Sequence, residues 1–490
     1  MRIPKYLYLR NRFILPIKIG AFLSLLLAFS SLESQSYSGN FLDDWTANQN
    51  HGAVSAPFQS RRQGLANPIA LGLQSQSEIY LGSTFRSQKG GNQSDQAANN
   101  QITALSSAAT AIGYHFENQS FGVFLGPRLS AYRDESFSTR KSSSWDAEGL
   151  LDYQFKKGNF KISIEGGRAW QRLDQFGFVF VGMANYSQVL FAFGNYASIS
   201  LVSQRFKPEE ESLSPSAWNS KANQIYGGNI QIPNLIFWES ISLFHYQYRE
   251  PERTAEDTGL SRPRTFGFFR YYGLELRSVS FWEKTRVDLA MIRLVGERVQ
   301  STSPVSFVEQ STNAYLAYTS LHTEWDAFFF SLAGLITSKD RNQRRDRESN
   351  GYAAPLGEPR VLGGYSSFLL FQSVQFSNDR IFYDRFSQRQ AGFENRGIQM
   401  FGLQIGKEWS FGYRTDFFLN RSQSELGLGH EMIFKLGRNI SWFQNGFVSA
   451  SACYAWVDPQ RTITWLIEPF TTQEAKKEFV RFYVSVGFAL

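Results

Sequence analysis

Five histidines and one cysteine are the residues of this chain that most readily do chemistry: His51, His115, His245, His322, His430 and Cys453. None falls in a His-Glu-x-x-His, Gly-x-Ser-x-Gly, P-loop or Gly-x-Gly-x-x-Gly pattern, so the recognisable hydrolase and nucleotide-binding signatures are missing. His430 alternates with Leu428, Met432 and Phe434 and reads as a packed or interfacial ring. His245 has no Ser or acid at a spacing that fixes a partner, although a triad is assembled in space and not along the chain. Cys453 lies among Ser449, Ser451 and Ala455, which is no soft-metal site. The loop from Ser338 to Arg347 holds Asp340 and Asp346 among four Arg, too positive for a calcium loop. That loop reads as a solvated connection or as a basic gate folded inward. The expectation is a chain that is not an enzyme and has no catalytic residue, cofactor or metal.

Chemistry of another kind comes from the cations. Of the 50 basic residues 35 are Arg, whose planar fork suits carboxylates and phosphates and also serves buried ion-pair ladders. Much of the formal charge of +7 is concentrated at the start of the chain. Residues 1–20 hold Arg2, Lys5, Arg10, Arg12 and Lys18 without an acid, and residues 21–29 read Ala-Phe-Leu-Ser-Leu-Leu-Leu-Ala-Phe before a Ser-rich stretch. This is the order of a secretory signal peptide. Its apolar core is short for a membrane anchor of about 20 residues, so residues 1–36 are expected to be removed near Ser34 to Ser36. Without them the net charge falls to +3, so bulk basicity argues only weakly for an anionic partner, and export makes nucleic acid a poor one.

The elements that must position these groups are strands. From residue 68 onward, runs of alternating bulky apolar and small or polar residues recur, separated by turns, with no sustained helical stripe. In residues 409–420, Trp409, Phe411, Tyr413, Phe417 and Leu419 share one face, while Ser410, Gly412, Arg414, Asp416 and Asn420 share the other. The last run repeats this, with Val480, Phe482, Val484 and Val486 against Arg481, Tyr483 and Ser485. Similar runs occupy residues 119–132, 159–168, 236–249, 268–281, 363–376, 397–406, 426–436 and 443–456. They are longer than the five or six residues usual in globular strands and suit a tilted membrane crossing. Tryptophans such as Trp238, Trp325 and Trp409 sit at run ends, where barrels of the outer membrane place aromatic girdles.

Tight turns are expected at Lys157-Gly158-Asn159, Gly437-Arg438-Asn439 and Asp458-Pro459-Gln460. Long polar connections are expected at about 86–101, 205–224, 249–263, 299–312, 338–360 and 376–396. Residues 37–67 read as an irregular N-terminal segment and residues 68–490 as the barrel. The fold class is therefore all-β: a closed transmembrane antiparallel β-barrel of about 18 strands (16–20), exported to the bacterial outer membrane. Its expected partners are outer-membrane lipid and the barrel-assembly machinery.

Residues 225–367 resemble the alginate-export outer-membrane porins. The features behind this are Ile225-Tyr226-Gly227-Gly228, then Tyr246-Gln247-Tyr248-Arg249, then Arg264-Thr265-Phe266-Gly267 through Arg270 to Gly273, then Ala314-Tyr315 through Ser338-Lys339-Asp340. The resemblance implies an 18-stranded barrel whose narrow electropositive lumen passes an acidic polysaccharide. The polar-face residues that could line such a lumen are His245, Arg249, Arg270, Arg277 beside Glu275, Arg414 beside Asp416, and Arg481. A succession of guanidinium forks can hand a carboxylate along a wall. The same neighbours can instead be compensated ion pairs that stiffen it. The function expected is a porin or exporter for anionic solutes or acidic saccharide. The alternative is a non-transporting barrel that acts as an adhesin or structural protein through its loops, and a soluble exported β-protein comes third.

Overall fold

Alternating aromatic or β-branched residues with small polar ones favours extended chain, because each class fills one side of a pleated surface. A computed structural model of the chain, which describes residues 72–88, 99–116, 118–134, 140–206, 222–251, 265–281, 284–303, 306–338, 348–352, 354, 397, 399–424, 427–440, 444–459 and 477–489, follows that rule in its strands. The expected signal peptide, the 37–67 segment and the run at 363–376 lie outside these residues.

The first nine strands are β1 (Gly72–Gln88), β2 (Asn99–Phe116), β3 (Gln119–Asp134), β4 (Arg140–Lys157), β5 (Phe160–Arg172), β6 (Val181–Phe193), β7 (Ala197–Phe206), β8 (Asn223–Leu235) and β9 (Trp238–Glu250). There follow β10 (Thr265–Ser278), β11 (Arg286–Ser303), β12 (Ser306–Trp325), β13 (Phe328–Thr337) and the two-residue β14 (Glu348–Ser349). The last five are β15 (Gln399–Glu408), β16 (Tyr413–Ser424), β17 (Gly427–Ile440), β18 (Gln444–Pro459) and β19 (Lys477–Ala489). Neighbours in sequence pair antiparallel along one sheet, and β13 passes over β14 to pair with β15. β14 instead lies parallel to β12, with Ser311 opposite Glu348. β1 pairs with β2 on one side and with β19 on the other, from Gln76–Ala489 to Gln88–Lys477.

Connections differ in length from one strand pair to the next. Gly158, at φ 59°, makes the expected turn between β4 and β5. Gly437-Arg438-Asn439 is no turn: it continues β17, with Asn439 opposite Phe447 of β18. The long polar connection expected at 299–312 is likewise strand, since β11 runs to Ser303 and β12 resumes at Ser306. In both places the ladder continues through polar residues, because backbone pairing does not depend on side-chain polarity when one face meets no core.

Exposure alternates with period two and assigns the faces. Phe244, Tyr246 and Tyr248 of β9, Phe269 and Tyr271 of β10, Ile292 and Leu294 of β11 and Leu316 and Tyr318 of β12 are buried. This inner face is the one against which the connection between β5 and β6 packs. The opposite face displays Leu151, Ile164, Leu201, Leu243, Met291, Ile336, Phe401, Ile405 and Phe434, with exposures that reach 63% at Met291 and 58% at Phe401. A water-soluble monomer rarely leaves so wide an apolar wall uncovered.

Candidate functional site on the inner face

Two polar clusters interrupt the inner face toward the end of the sheet with short turns. Arg277 of β10, Arg286 and Asp288 of β11 and Ser320 and His322 of β12 point the same way, because each lies at an even offset and is matched across the ladder: Arg277 with Asp288, Asp288 with Ser320, Arg286 with His322. Arg277 Nε donates to Asp288 Oδ1 at 3.3 Å, and Arg286 Nε stands 3.5 Å from the same oxygen, an ion-pair distance without a hydrogen bond. His322 places Nε2 at 2.9 Å from Ser320 Oγ and 3.4 Å from Asp288 Oδ2, and Nδ1 at 2.9 Å from Ser331 Oγ of β13. A Ser–His–Asp contact invites a catalytic reading. Both serines are buried, however, so no hydroxyl stands open to a substrate. The cluster is an ion-pair and hydrogen-bond ladder in which two guanidiniums share one carboxylate. Arg277 and Arg286 keep 20% and 29% of their side chains open, so positive charge reaches the solvent from here.

The second cluster is closed. Arg414 of β16 donates Nε and Nη2 to Asp416 at 3.0 Å, and Gln404 of β15 gives Nε2 to the same carboxylate at 3.0 Å. The guanidinium lies 4.0 Å over the ring of Phe329, and buried Lys435 of β17 stands across the ladder from Asp416. Arg414 is 2% exposed.

Between the clusters and the long-connection end, the inner face is aromatic and covered. Residues 173–180, joining β5 to β6, fold inward as a loop whose neck closes through Leu173 N–H donating to Phe180 O at 3.1 Å. The buried Asp174 carboxylate organises the loop by accepting the N–H groups of Phe178, Val179 (2.9 Å) and Phe180 (3.2 Å). Glu275 of β10 accepts those of Gln175 (2.9 Å) and Phe176 (3.3 Å). Tyr246 donates to Leu173 O at 2.8 Å, and Tyr352 to Phe178 O at 3.2 Å. The rings of Phe176 and Phe178 pack on Tyr318 at 5.2 and 5.3 Å.

Of the lining residues expected from sequence, Arg277 and Arg414 lie on this inner face. His245, Arg249 and Arg270 do not: their side chains alternate with the buried Phe244, Tyr246, Tyr248, Phe269 and Tyr271 and stand on the outer face. The polar-face assignment reverses there because the inner face of β9 and β10 is the aromatic seat of the 173–180 loop. His245 stacks on Tyr272 at 4.8 Å, and Arg270 lies 5.0 Å over Phe268. Arg481 pairs with Thr84 and Cys453 in the ladder, and its side chain lies outside the described set. Arg277 pairs with Asp288, 11 residues away, while Glu275 serves the loop. Arg286, Asp288, His322 and Lys435 join the clusters unannounced. The available signal was Arg286-x-Asp288 and Ser320-x-His322, two same-face polar pairs on successive strands. Among the described residues no group of His, Cys, Asp and Glu is arranged to hold a metal.

No family model and no curated protein matches the sequence. Solved structures resemble its fold. OccK9 (OpdG) of Pseudomonas aeruginosa aligns over 86% of this chain and 100% of its own, at 8% identity and a TM-score of 0.50. OccAB3 of Acinetobacter baumannii aligns over 85% and 99%, at 11% identity and a TM-score of 0.48. OpdK of Pseudomonas aeruginosa with vanillate aligns over 85% and 99%, at 9% and 0.48. At such identities the likeness to OccK9 is one of fold: a single large antiparallel β-sheet followed along the whole of that chain.

Proposed function

We propose that the chain closes through its β1–β19 pairing into an 18-stranded barrel of the bacterial outer membrane, made after removal of a signal peptide. It passes anionic solutes, acidic saccharides among them, along the open guanidiniums of Arg277 and Arg286. The observation behind the membrane reading is the exposed apolar wall, which includes Leu201, Leu243, Met291, Phe401 and Phe434 and backs strands whose inner faces hold buried ion pairs. That polarity is inverted relative to a soluble β-sandwich, whose apolar faces meet in a dry core. The fold likeness to OccK9 supports the same architecture. Outer-membrane lipid and the barrel-assembly machinery are the partners this architecture requires.

One observation favours a second reading, a barrel that transports little and acts through its loops: the 173–180 loop fills the aromatic part of the interior. Single-channel recording of the refolded chain in planar bilayers under a salt gradient separates the two. The channel reading expects current steps with anion preference, and in R277Q/R286Q a reversal potential moved toward zero. Current without anion preference, or a reversal potential unchanged in that variant, removes the guanidinium path. A folded, heat-modifiable barrel without current moves the loop-mediated reading ahead.

A further inference from the structure

Outer-face side chains on β7 to β12 fall into ladder rows of graded chemistry. Nearest the long connections, Arg205, Gln224, Arg249, Phe268, Glu297 and Ser311 lie side by side. The next row holds Gln247, Arg270, Val295 and Asn313, and the one after it His245, Tyr272, Arg293 and Tyr315. The row beyond is wholly apolar: Ile199, Ile230, Leu243, Leu274, Met291 and Ala317. A groove of about 1050 Å³ runs over this boundary, lined on its polar side by His245, Tyr272, Arg293 and Asn313 and on its apolar side by Leu243, Met291 and Ala317. It is deep where the wall is stripped of side chains at Gly228. Any Cβ there would meet Ser200 O at 2.4 Å, so the dent is fixed by backbone packing.

We infer that this groove holds one anionic lipid, with its acyl chain along Leu243, Met291 and Ala317 and its head group on Arg293 and Arg270. The inference rests on the membrane reading above, since it needs the outer face to meet a bilayer. Charge complementarity selects the occupant. Arg293 is committed through Nε to Asn313 Oδ1 at 3.3 Å, a neutral partner that orients the fork without neutralising it. Arg270 lies over Phe268, again without neutralisation. The acids on this part of the wall, Glu297 and Glu309, lie in the outermost of these rows and beyond it, so cations outnumber acids at the groove. A guanidinium on a lipid-facing wall is costly unless it reaches the interface or an anion. Tyr272 and Tyr315 beside it have the amphipathic rings that favour the head-group zone. An apolar trough beside two cations that no acid neutralises fits a molecule with one chain-like end and one net-negative end.

Native mass spectrometry of the full chain in neutral detergent tests this, with phosphatidylglycerol and phosphatidylethanolamine as probes. The expected result is about a tenfold preference for phosphatidylglycerol, on the order of what one charge-assisted contact supplies, and its loss in R270Q/R293Q. A317W, which fills the trough, weakens both lipids together. Heat-modifiability on gels confirms that the variants are folded. Equal retention of both lipids by the unsubstituted chain, or an undiminished preference in R270Q/R293Q, overturns the site while the membrane reading stands. A chain that stays in the aqueous phase without detergent overturns the membrane reading and the site with it.

Discussion

Replacing Asp174 by Ala removes the acceptor for three backbone N–H groups at once, those of Phe178, Val179 and Phe180, all on buried residues. A buried donor left without a partner costs roughly 1–3 kcal/mol. The three share one carboxylate on a short loop that can relax, so the sum is taken at its low end, about 3 kcal/mol, or about a hundredfold in the opening equilibrium of residues 173–180. The bonds from Tyr246, Tyr352 and to Glu275 stay in place and keep the loop from leaving altogether. Hydrogen exchange read by mass spectrometry on the solubilised chain is the direct assay. Amides of Phe178, Val179 and Phe180 are expected to exchange about a hundredfold faster in D174A, with β5 and β6 unchanged and with larger conductance steps in bilayers. D174N keeps an acceptor oxygen and is expected to lose less than half of this effect on a logarithmic scale. Unchanged exchange in D174A would show that aromatic packing alone holds the loop. Acceleration spread evenly through β5 and β6 would show that the sheet was weakened, and either result refutes the reasoning.

Two further outcomes test the wall itself. D416A strips the buried Arg414 and Lys435 of the nearby carboxylate and is expected to destabilise the barrel by about 3–5 kcal/mol, read as a lower urea midpoint; a midpoint within error of the unsubstituted chain would remove Asp416 as the counter-charge. Ala at Gly227 would put a Cβ 2.1 Å from His245 O at a φ of 154°, so G227A should fail to give a heat-modifiable band, whereas G158A, in an open turn at φ 59°, should fold at a cost of about 1 kcal/mol.

What was legible in the sequence follows the range of the interaction. Period-two alternation is a property of neighbouring residues, so residues 413–420 announced their two faces, and Arg414, Asp416 and Asn420 do share the buried one, whereas 410–412, read as part of the same run, form a 3-10 turn before the strand begins. Which face turns inward is not local. On β9 the polar set His245, Gln247 and Arg249 looked like a lumen wall, but the inner face belongs to Phe244, Tyr246 and Tyr248 because a loop some 70 residues earlier docks on them. Ion-pair partners were hidden for the same reason. Arg277 has an acid two positions away, yet register brings Asp288 opposite it and commits Glu275 to loop backbone. Cross-strand register depends on the whole ladder, and one residue of slip would exchange every assignment.

The ladder is built almost wholly from hairpin neighbours, each completed as soon as the next strand arrives. The 173–180 loop is different: its holding bonds come from Tyr246, Glu275 and Tyr352, separated from it by 73, about 100 and 174 residues. Contacts of such separation form late, since the intervening chain must first be ordered. In the barrel proposed above, the bore would therefore stay wide until residue 352 has been placed, and its narrowing would be among the last steps of folding.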